Sequence, residues 1–150
     1  MLFNPVDLTW LTFLIIYVFL IGGLFLLAKE PFRFILTMKV YGLMVLFRIA
    51  AMYLLPLEPP EKMIPLSDPI VEIFGTGRLL TKDLFFSGHT ATLFILYLTA
   101  EKKFRLYFLF GTIAVAVCVI MQHVHYTIDV AAAFVFTFAA YSLFKKTQKI

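Results

Sequence analysis

Residues 8–28 read LTWLTFLIIYVFLIGGLFLLA, 21 residues without a charge. As a helix rising ~1.5 Å per residue they reach about 31 Å, which matches a bilayer hydrocarbon core of ~30 Å. The rest of the chain follows suit: of 150 residues 62% are hydrophobic, 18 are Phe and only 15% are charged, with a mean hydropathy of +0.95. A soluble domain could not bury so much apolar surface, whereas a membrane protein need not. The expectation is an all-α, polytopic membrane bundle of about five transmembrane helices, forming a single domain over 1–150. No Lys or Arg precedes the first apolar run, and the run exceeds a signal-peptide core of roughly 7 to 15 residues, so the first helix is expected to remain in place. With one cysteine, Cys118, inside an apolar run, no internal disulfide can form.

Outward from that first run, Lys29-Glu30-Pro31-Phe32-Arg33 is a charged turn, and 34–55 is a second span carrying Lys39 and Arg48. Lys39 lies close enough to a helix end to snorkel; Arg48 lies deeper. Pro56, Pro59, Pro60 and Pro65, with Glu58, Glu61, Lys62 and Asp68, form the one long polar connection. Spans three, four and five read as 84–99, 104–121 and 127–144. Basic loops stay cytoplasmic. Lys29, Arg33, Lys102, Lys103, Arg105, Lys145, Lys146 and Lys149 fall on one side, against Lys62, Arg78 and Lys82 on the other. The N-terminus is therefore expected outside and the C-terminus in the cytoplasm. The net charge of +4 is explained by this topology, not by nucleic acid.

That alternation brings two polar segments to the outer face: Phe86-Ser87-Gly88-His89-Thr90 at the start of span three and His125-Tyr126-Thr127-Ile128-Asp129 at the start of span five. If His125 and Asp129 share a helix face at i, i+4, the carboxylate can orient one imidazole nitrogen and leave the other as a nucleophile. Ser87 and Gly88 offer a hydroxyl, close backbone approach and helix N-terminal amides suited to an anion. His89 can protonate a departing oxygen. The implied chemistry is phosphoryl transfer through a phosphohistidine: His125 attacks phosphorus, Asp129 stabilises the imidazolium, and His89 acts as acid and then as base. It requires no cofactor. His123 with His125, His89 and Asp129 would also supply enough ligands for zinc, but a ligating His125 could not be the free nucleophile, so no metal is expected.

The Ser-Gly-His-Thr and His-Tyr-Thr-x-Asp-Val segments resemble the type 2 phosphatidic acid phosphatase superfamily, and specifically its sphingomyelin-synthase-like branch. The resemblance implies a catalytic triad of His89, His125 and Asp129, and extends more weakly to Tyr41, Arg48 and residues 55–59. The wider superfamily carries Lys-x6-Arg-Pro before the first motif and a Ser-Arg pair before the second histidine. Here no Lys has an Arg seven residues on, and Cys118 and Val119 stand at the Ser-Arg positions. A phosphate monoester approaches two negative charges and wants those cations. A phosphodiester carries one charge, and a choline or ethanolamine head group brings its own cation. The expected donor is thus a zwitterionic membrane phospholipid, with a lipid alcohol such as ceramide or diacylglycerol, or water, as acceptor. Arg48, Arg78 and Lys82 are the candidate phosphate contacts, alongside Ser87 and Gly88. Tyr126, Phe85 and Phe86 could face the head-group amine, although packing is the ordinary role of Phe in so Phe-rich a chain. The small size without a cytoplasmic regulatory domain suggests a bacterial inner-membrane protein with its site facing the periplasm or exterior.

Overall fold

The computed structural model describes residues 4–55, 58, 60, 63–66 and 85–145. These form five helices, with no strand among them: α1 (Thr9–Leu27), α2 (Pro31–Leu54), α3 (Gly88–Thr99), α4 (Lys102–Met121) and α5 (Thr127–Lys145). All but α3 are long and apolar enough to cross a membrane, which fits an integral membrane protein. Their outer faces carry exposed Trp10, Leu14, Phe25, Leu106, Phe110 and Val135, a surface that only lipid would tolerate. Lys39 is also exposed, as a snorkelling side chain must be. Pro31 opens α2 at a first-turn position, where its missing N–H costs nothing.

The third helix departs from the expected span over 84–99. It occupies 12 residues, about 18 Å at ~1.5 Å per residue, well short of the ~30 Å hydrocarbon core. Ser87 stops it, because its Oγ accepts the Thr90 N–H (3.4 Å) and hydrogen-bonds the Thr90 hydroxyl (3.0 Å) as an N-cap. A short helix is tolerable here because α3 sits in the middle, packed against each of the other four. Leu93, Leu96 and Ala100 join one core with α1 and α4, while Ala91, Ile95 and Leu98 join a second with α2 and α5. A helix apolar all round is one buried on all sides.

Successive helices alternate in direction. At one end Phe13 of α1 packs edge-on against His89 of α3 (5.8 Å), Arg48 of α2 reaches Phe86 (3.0 Å), and the Ser87 N–H donates to the Asp129 carbonyl (3.4 Å). At the other end Arg33 donates to the Thr99 and Ala100 carbonyls (3.2 and 3.4 Å) and Arg105 to Ala100 (3.3 Å). Two guanidinium groups thus complement the C-terminal dipole of α3. Close packing relies on missing side chains: a Cβ on Gly111 would lie 2.6 Å from the Phe19 ring, which joins α1 to α4.

Candidate functional site

The His125 segment is shaped by how α4 ends. Gln122 is the C-cap, His123 follows with φ 58°, and two bonds close the cap: His123 N–H to Ile120 O (3.1 Å) and Val124 N–H to Val119 O (3.0 Å). This pattern normally takes Gly at the left-handed position; histidine is among the residues that tolerate it. His123 is buried, 2% exposed. His125 therefore lies in the turn before α5, not on the helix as its i, i+4 spacing suggested. Asp129 reaches back to that turn. As the third residue of α5 it accepts the Tyr126 N–H on Oδ2 (2.8 Å), one half of a capping box. The same Oδ2 stands 3.6 Å from His125 Nδ1. The two side chains are adjacent, brought together by a cap instead of a shared helix face. At 3.6 Å theirs is an ion-pair separation and not a hydrogen bond. Asp129 is fully buried and His125 is 3% exposed. Among the described residues Asp129 Oδ1 and His125 Nδ1 have no hydrogen-bond partner.

The Ser87 N–H to Asp129 O bond ties the two motifs together at the shared end of α3 and α5. Gly88 permits a second approach. A Cβ there would sit 2.8 Å from Arg48 Nη1, so the guanidinium lies against the start of α3 while its Nε donates to the Phe86 carbonyl. Phe85–Ser87 are buried and non-helical. Backbone of that kind at membrane depth survives only where protein groups satisfy it, and Arg48 and Asp129 do so. Arg48, Gly88, His89 and Thr92 form the polar part of a cavity of about 730 Å³ between α1, α2 and α3. His125 and Asp129 are not in its lining, and Tyr126 contributes its backbone as the N-cap of α5. Phe86 stacks on Phe136 (5.1 Å, 7° between planes), the packing role. Arg78 and Lys82 lie outside the described residues, and no group of three or more metal-ligating side chains is assembled among those described.

Gln122 is a residue that the sequence motifs leave out. Fully buried, it donates from Nε2 to Thr9 Oγ1 (2.7 Å) and Ile64 O (3.4 Å) and accepts the Leu8 N–H on Oε1 (3.3 Å). It clips the start of α1 and the 63–66 segment to the turn that bears His125. The available signal was an uncharged amide directly beside a histidine pair at the end of an apolar span.

An all-helical membrane bundle with two histidines and a carboxylate gathered at one end is the class that fold and site define. Residues 82–147 match the family model described as PAP2 superfamily C-terminal. The match covers 66 of the 150 residues and makes this part of the chain similar to the type 2 phosphatidic acid phosphatase superfamily. No curated protein and no solved structure matches the chain.

Proposed function

We propose that the chain is an integral membrane lipid phosphotransferase. It moves a phosphocholine- or phosphoethanolamine-type head group from a phospholipid to a lipid alcohol, in the manner of the sphingomyelin-synthase-like branch. The observation that carries this reading is the Ser87–Asp129 contact, which sets the Ser-Gly-His motif beside His125 and its carboxylate. Asp129 faces Nδ1 of His125, so Nε2 is the nitrogen left to attack phosphorus. The P–O bond to the diacylglycerol oxygen breaks, and His89 protonates that oxygen. The acceptor hydroxyl then gives its proton to His89 and attacks the phosphohistidine, which restores His125. Arg48 neutralises the single phosphodiester charge, and Arg78 and Lys82 are further candidates for that task. Asp129 balances the imidazolium.

With water as acceptor the same steps give a lipid phosphohydrolase, and a bundle that only binds lipid would give neither product. The test is purified protein with head-group-labelled phosphatidylcholine or phosphatidylethanolamine, with and without ceramide or diacylglycerol. Labelled head group on the added alcohol is the expected result; free phospho-head group indicates hydrolysis, and no product the non-catalytic bundle. His125→Ala should abolish turnover, and full activity in that variant would sink the mechanism.

A further inference from the structure

We infer that the groove between α1 and α2 is a binding site for one acyl chain of a membrane phospholipid whose phosphate lies at Arg48 and His89. This rests on the lipid-transferase reading and adds to it where the hydrocarbon goes. The two helices touch only sparsely, and the cavity of about 730 Å³ fills the space between them, within the ~300–1,000 Å³ of ligand pockets generally. Its walls are ordered by polarity. Arg48, Gly88 and His89 stand at one level, held together by the Arg48–Gly88 packing and the Phe13–His89 ring contact. Away from them the lining is Ile16 and Leu20 on α1 with Val45, Met44 and Tyr41 on α2.

From Arg48 to Tyr41 the apolar trough runs about 10 Å along α2 at ~1.5 Å per residue. That is about two thirds of one leaflet of a ~30 Å hydrocarbon core, and Ile49 and Met52 line the groove on the other side of Arg48. Tyr41 and Ile49 on α2 line it while each remains 43% exposed, so the groove meets the outer, lipid-facing surface of the bundle. A cationic level beside an apolar trough that runs into the leaflet complements a phospholipid: an anionic phosphate joined to a hydrocarbon chain.

The full-length protein would be placed in phosphatidylcholine vesicles containing a phosphatidylcholine with a diazirine midway along one acyl chain, irradiated, and its labelled peptides mapped. Label should concentrate on Ile16, Leu20 and Val45 severalfold over outward-facing Leu14, Ile21 and Val135. Even labelling of both sets would mean annular lipid only and would overturn the proposal. A diacylglycerol bearing the same chain should label the groove severalfold less; equal labelling would overturn the assignment of the polar end. Val45→Trp, which narrows the trough, should lower labelling at Leu20. Labelling does not require turnover: an inactive protein that labels in the groove refutes the transferase reading and supports the groove, whereas transfer activity with even labelling does the reverse.

Discussion

Arg48 answers two demands at once. A guanidinium within a membrane span is costly unless it is paired or faces a cavity. Here its Nε satisfies the non-helical Phe86 carbonyl while its Nη1 lies over Gly88 beside the cavity. Lysine would keep the charge but lose the fork that can serve carbonyl and phosphate together. Arg48→Lys should lower transfer roughly ten- to hundredfold, as expected for a hydrogen bond to a charged group of ~1.5–3 kcal/mol, read from initial rates on labelled phosphatidylcholine. An unchanged rate would assign Arg48 to the fold alone. Gly88→Ala tests the same point from the other side. Its Cβ would meet only the flexible end of Arg48, so the fold should persist while the guanidinium is displaced and activity falls. The sequence marks Arg48 as an ionisable residue in a span; that it leans on Gly88 is visible only once α2 and α3 are packed.

At the scale of elements, the site is built from helix ends. Ser87 caps α3, Asp129 completes the cap of α5, and His123 closes α4 in the left-handed conformation. Ser87 and Asp129 thus have a local structural task beside the proposed chemical one, and helix periodicity alone mistook one such end for a continuous helix face. Gln122 holds the intervening turn to the rest of the molecule. Gln122→Ala should destabilise the protein by about 2 kcal/mol, since it removes three side-chain hydrogen bonds and leaves the half-buried Leu8 N–H and Ile64 carbonyl without that partner. Thermal unfolding in detergent would measure it, and a melting temperature equal to the parent's would show that the clip does not bear on stability.

For the whole molecule, the helix ends carry a charge asymmetry: Lys29, Arg33, Lys102, Lys103, Arg105 and Lys145 lie at the end of the bundle opposite the candidate site. The positive-inside tendency predicts that the site faces outward. In a Cys118→Ala background, Asn4→Cys should react with an impermeant maleimide added to intact cells and Lys102→Cys only after lysis; the opposite pattern would invert the topology. The sequence by itself determined the solvent, the helical class, four of the five spans and the two motifs, because apolar run length and charge placement are local quantities that a bilayer reads directly. The Ser87–Asp129 contact, the packing of Arg48 on Gly88, the Gln122 clip and the cavity between α1 and α2 were decided by tertiary structure alone. Each depends on which helices become neighbours, and a central helix buried on every side obeys its partners' packing, not the thickness of the membrane.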